Sequence, residues 1–158
     1  MNIKKLKKEI ADGQYHVLLM TCPATLPVSF AIHPWFVCAK GGRISRWEVR
    51  FERNNDSVLG KHLYKDGLPP FSGIEMVLPL RKKLLWGADL FMHFKGGRGS
   101  MAQEMYDFIN GNSGQYPYRD QYSLFGPNSN TYAQWVLDSL DILDIKLPWN
   151  CIGKSYHQ

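Results

Sequence analysis

The sequence predicts an α+β domain: an antiparallel sheet packed with a few helices. Three observations point there. Short β-like runs broken by glycine and proline recur through the first hundred residues. Lys40-Gly41-Gly42-Arg43 joins two such runs as a hairpin, because Gly-Gly supplies the positive φ angles of a tight turn. Helical periodicity is confined to residues 2–11, 100–111 and 130–144. With 158 residues, 44% of them hydrophobic, the chain suits one domain with a real core. Residues 1–13 are read as a short basic N-terminal helix on that single domain, closed by Asp12-Gly13.

The elements follow in order. Tyr15 to Thr21 is nearly all apolar and reads as a buried strand. Val28 to Lys40 and Arg43 to Glu52 are the arms of the hairpin. Residues 53–73 are polar, rich in glycine and proline, and read as a long loop or lid. Ile74 to Leu80 and Asp89 to Lys95 are further strands. Ser100-Met101-Ala102-Gln103 fits a capping box, with Gly111 as the helix-terminating residue. A last helix runs from about Asn130 to Asp144 with Tyr132, Val136, Leu140 and Leu143 on one face, and Pro148 bars its continuation.

Charge and cysteine content exclude several classes. The net charge of +5 owes much to Lys4, Lys5, Lys7, Lys8 and to Arg81, Lys82, Lys83, and no nucleic-acid motif follows either run. Nucleic acid is therefore not expected as a partner, whereas peripheral contact with an anionic membrane stays open. Three scattered cysteines without a CxxC pair argue against a disulfide framework or structural zinc, so no metal and no cofactor is expected. The apolar run Val17 to Met20 is shorter than the roughly 7–15 residues of a signal-peptide core. The expected location is the cytoplasm.

Candidate chemistry centres on Gly126-Pro127-Asn128-Ser129-Asn130-Thr131-Tyr132. The turn delivers Ser129 to a helix N-terminus, whose unpaired N–H groups and partial positive charge favour a developing anion. Asn, Ser and Thr are equally the preferred helix-capping residues, so capping is the plain alternative. If Gly41-Gly42 is a two-residue turn, Trp35 opposes Glu48, and His33, Trp35, Glu48 and Arg50 share one face. Ile32, Phe36, Trp47, Val49 and Phe51 occupy the other, which reads as the core. Glu48 then lies diagonal to His33 and can orient its imidazole. A structural histidine on a half-buried strand is the plain alternative. His93 and Cys151 are rivals, His16 and His62 have no evident partner, and Gly96-Gly97-Arg98-Gly99-Ser100 is a weak phosphate-cradle signal. Tyr116, Tyr118, Arg119 and Tyr122 read as base-stacking residues, a cleft wall or an interface.

Residues 126–132 resemble the signature of an uncharacterised bacterial family of unknown function. His33-Pro34-Trp35, Arg46-Trp47-Glu48-Val49 and Ile152-Gly153-Lys154 resemble its other landmarks in the same order, over about residues 27–156. A more remote similarity is to the circularly permuted papain-like superfamily, which includes NlpC-type proteins and lecithin:retinol acyltransferase. There a histidine on an early strand and a polar residue on the next precede a late Asn-Cys-x-x-aromatic motif that opens a helix. The resemblance implies a papain-like fold, with His33 at the histidine position, Glu48 as the polar residue and Tyr132 as the aromatic. Serine stands where that superfamily has cysteine. The resemblance implies an amide or ester hydrolase or acyltransferase in which Ser129 attacks, His33 is the base and Glu48 orients it. Asn128, Asn130 and Trp35 would serve the oxyanion or cleft. The alternative is a non-catalytic papain-like domain that binds a peptide, lipid or glycan fragment.

Overall fold

The computed structural model describes residues 3–51, 59–77 and 84–156. Helix α1 (Ile3–Glu9) precedes β1 (Tyr15–Pro23), β2 (Ile32–Lys40), β3 (Arg43–Val49), β4 (Leu63–Lys65), β5 (Ser72–Glu75), β6 (Leu85–Gly87) and β7 (Asp89–Gly96). Helices α2 (Met101–Asn112) and α3 (Ser129–Ser139) follow. A five-stranded antiparallel sheet has the order β4-β3-β2-β1-β7, and β5 pairs with β6 in a separate hairpin. The described residues are thus mixed α and β, with antiparallel sheets and three α-helices.

The Gly41-Gly42 turn has the two residues expected: Lys40 pairs with Arg43 and Phe36 with Trp47, with φ of +54° and +78° at the glycines. Continued one step, that register sets Trp35 opposite Glu48. Side chains alternate across a strand, so the register fixes both faces. Phe36, Cys38, Trp47 and Val49 join Val17 and Leu19 beneath α2 and α3. The other face is no less buried. Leu18, Met20, Trp35 and Val37 lie beneath Leu6 and Ile10, with Phe71 packed beside them. The sequence places the core on the Phe36 face alone; a second buried layer covers the His33 face as well.

Other boundaries shift for local reasons. Gly111 lies inside α2, which runs to Asn112 and is capped by Ser113. α3 stops at Ser139, where Leu140 caps it and Asp141 turns to φ +53°; Leu143, assigned to its buried face, is exposed. The strand expected from Ile74 to Leu80 is the short β5, and residues 78–83, with the Arg81-Lys83 run, lie outside the described residues. So does Glu52, at the end of the third expected strand. Of the 53–73 stretch, residues 53–58 lie outside them too, and the rest is stitched wall. Asp66 bonds the Arg46 amide at 2.7 Å, Arg46 Nη1 donates to the Pro69 carbonyl at 2.7 Å, and Trp35 Nε1 donates to the Pro70 carbonyl at 2.9 Å.

Candidate functional site

The site forms where β2 begins. His33 is the second residue of that strand and is 2% exposed. Its Nε2 lies 3.4 Å from Glu48 Oε2, which also takes a 2.7 Å hydrogen bond from Arg46 Nη2. An ionised carboxylate only accepts, so Nε2 carries the proton and Nδ1 keeps its lone pair. Burial opposes the Glu48 charge, yet donation from His33 and the Arg46 guanidinium outweigh it and hold the carboxyl down at about 2. Burial also pushes the His33 imidazole below its ordinary value; Glu48 opposes this and Arg46 and Arg50 add to it. The result at neutral pH is a neutral imidazole backed by a buried carboxylate.

Arg46 was absent from the expected site although its alternation with Glu48 and Arg50 marks it for the same face. Its guanidinium stacks on Trp35, 4.3 Å from the ring centroid, and its side chain is fully buried. Trp35, expected in the cleft, is instead buried core beneath Arg46. Arg46 is the counter-ion that lets Glu48 stay charged inside the protein.

Ser129 comes from the other layer. Asn128, and not Ser129, caps α3: its Oδ1 accepts from the amides of Asn130 and Thr131 at 2.9 and 3.4 Å, and Thr131 Oγ1 accepts from the Asn128 amide at 3.1 Å. Ser129 is therefore the first helical residue, 3% exposed. Among the described residues neither its hydroxyl nor its backbone N–H has a hydrogen-bond partner. Asn128 has no donor to spare for an oxyanion, because Nδ2 donates to the carbonyls of Ser123, Leu124 and Ile152. Asn130 Nδ2 is likewise spent on the Ile32 and Ile152 carbonyls, at 3.0 and 2.9 Å, while its buried Oδ1 is without a partner. Neither side-chain amide is therefore free for the oxyanion role expected of it.

The α3 N-terminus gives residues 152–153 a physical role. The Ile152 carbonyl receives both side-chain amides, and the Gly153 carbonyl receives Thr131 Oγ1 at 2.7 Å. Gly153 has φ +88°, and a Cβ there would lie 2.6 Å from Asn128 Nδ2. The C-terminal segment is thus keyed into the α3 cap, and Asn130 ties the residue after Ser129 to the residue before His33.

His33, Asn128, Ser129 and Asn130 open onto one cavity of about 490 Å³. Its walls are largely apolar, from Val28, Ile32, Leu68, Ile74, Leu124 and Ile152, with Arg50 and Glu75 the charged members. Phe51, His62 and Tyr122 form an aromatic group with centroids 5.5–5.9 Å apart, and Phe51 and Tyr122 join the wall. His33 projects on the α1 side of the sheet and α3 packs on the other, so the two reach the cavity around the end of β2. No hydrogen bond joins Ser129 to His33.

The rivals are placed elsewhere. Cys151 is buried core, its thiol pushed up to about 11 by burial. His93 belongs to a cluster beside α1, where His16 Nδ1 meets His93 Nε2 at 2.9 Å and His16 Nε2 meets Asp12 Oδ1 at 2.7 Å. His16 thus has partners after all, and His62 bonds the Arg50 carbonyl. Ser100 caps α2. Tyr116 is buried in the core rather than exposed for stacking. Among the described residues no three His, Cys, Asp or Glu side chains gather as metal ligands.

Residues 15–156 match the family described as Protein of unknown function (DUF3750). The chain belongs to that family. The match takes in every strand, α2, α3 and the 152–154 segment, so the whole site lies within the DUF3750 region. No curated protein and no solved structure matches the chain.

Proposed function

We propose that this DUF3750 protein is a serine-dependent hydrolase or acyltransferase acting on an amide or ester, with a circularly permuted papain-like arrangement. One observation carries the reading. A serine at the first position of a helix, with its own N–H unpartnered, shares a cavity with a neutral histidine backed by a buried carboxylate.

Ser129 Oγ bonds to the acyl carbonyl carbon as its proton passes to His33 Nδ1. The Ser129 N–H and the positive end of α3 stabilise the oxyanion. The tetrahedral adduct collapses, the bond to the leaving oxygen or nitrogen breaks, and His33 returns the proton to that group. Water or an acceptor alcohol or amine then repeats the sequence on the acyl-serine and restores Ser129. Glu48 holds the His33 tautomer and stabilises the imidazolium formed between the steps. The approach of Ser129 to His33 in this scheme is a movement made on substrate binding. The three buried, free cysteines accord with a reducing, cytoplasmic setting.

The test is intact mass after treatment with an alkyl fluorophosphonate. The native protein gains one adduct on Ser129, and Ser129→Ala and His33→Ala gain none. Absence of an adduct on native protein with a verified fold overturns the reading. A second reading, a non-catalytic binding domain, is favoured by the missing Ser129–His33 hydrogen bond and the opposite faces they occupy. It expects a ligand-dependent rise in Tm that survives Ser129→Ala.

A further inference from the structure

Among the described residues, six large exposed apolar side chains lie in the cavity wall or in segments beside it, while Ile3, Ile44, Leu84, Met101 and Leu143 do not. Phe51 and Leu124 are themselves cavity walls, 49% and 44% exposed. Leu26 adjoins the wall residue Thr25, and Phe125 adjoins Leu124. Phe30 precedes the wall residues Ala31 and Ile32, and Trp149 belongs to the segment beside them, since Asn150 Nδ2 donates to the Phe30 carbonyl at 3.1 Å and the Ile32 amide donates to the Asn150 carbonyl. Phe30, Phe125 and Trp149 are 61%, 75% and 84% exposed. Exposed apolar side chains thus border an apolar cavity. Such patches on a protein surface mark interaction sites.

We propose that this rim docks on an anionic lipid bilayer and that the cavity receives one acyl chain from it. Three features select a bilayer over a protein partner. The cavity behind the rim must stay open to receive any occupant, reacting or merely bound, and a protein or a second copy seated on the rim would close it. A bilayer covers the rim and also supplies an occupant for the apolar walls. The chain's net charge of +5 complements an anionic leaflet. Phe, Trp and Leu are the side chains that settle at the lipid–water boundary. That the chain enters as the acyl group presented to Ser129 rests on the acyl-transfer reading; docking itself does not.

The experiment is co-flotation with phosphatidylcholine–phosphatidylglycerol vesicles. Native protein floats with the vesicles. Each of Phe30→Ser, Phe125→Ser and Trp149→Ser weakens binding by roughly tenfold, because each removes an inserting aromatic, and their exposure leaves the circular dichroism spectrum and Tm unchanged. Ser129→Ala floats as native protein does, which separates docking from catalysis. Native protein that stays at the bottom of the gradient overturns the proposal. So does loss of flotation in a Lys4, Lys5, Lys7, Lys8→Gln variant with none in the aromatic variants, which assigns binding to α1. A native dimer that the aromatic variants dissociate, without vesicle binding, makes the rim a self-association face and overturns it equally.

Discussion

At Glu48 a carboxylate is buried completely and still charged, which is tolerable because Arg46 and His33 meet it there and Arg50 lies 3.7 Å from its other oxygen. The pair does more for position than for net stability, since burying both charges cancels much of their attraction. Removing one partner is another matter. Glu48→Gln leaves the Arg46 guanidinium without its anion and costs about 3 kcal/mol, read as a lowered midpoint in urea unfolding. His33→Ala at the same site removes a buried ring but no net charge at neutral pH, and costs less than Glu48→Gln in the same measurement. The Glu48–His33 relation was legible in the sequence, because a two-residue glycine turn fixes the register and the register fixes the diagonal. Arg46 was legible by the same alternation. What alternation cannot tell is whether a face is covered, so Trp35 read as cleft when Leu6 and Ile10, far off in sequence, make it core.

The α3 N-terminus is an element held by its ends. Asn128 binds two helix amides through Oδ1 and three carbonyls through Nδ2, so Asn128→Ala leaves several polar groups unpaired. The expected cost is about 2–4 kcal/mol, above that of an ordinary cap. Gly153→Ala disturbs the same joint from the other side, forcing a Cβ toward Asn128 at a φ that favours glycine. It lowers stability by about 2 kcal/mol or more, seen as a drop in Tm with α2 intact. The motif Gly-Pro-Asn-Ser-Asn-Thr announced a helix start in sequence. Which residue caps it did not follow, because Asn and Ser compete for that place on equal terms. The partner of the motif, residues 152–153, lies more than twenty positions away and carries no local signal.

Over the whole molecule, two titrating groups of the site push stability in one direction. Glu48 titrates near 2 in the fold against an ordinary 4.5, and His33 below its ordinary 6.5. In each case the unfolded chain binds the proton more readily, so stability rises with pH. The contribution is complete above about pH 6.5. The His33 part is lost as pH falls below 6.5, and the Glu48 part between about 4.5 and 2. Tm accordingly falls from pH 7 to pH 3, and falls less in His33→Ala and Glu48→Gln. The same depressed imidazole governs the proposed chemistry. The most direct test is the rate of fluorophosphonate labelling at Ser129 as a function of pH. The expected rate holds steady below pH 6.5, drops only as His33 takes up its proton, and vanishes in His33→Ala. Labelling unchanged by His33→Ala, or absent at every pH, would contradict it.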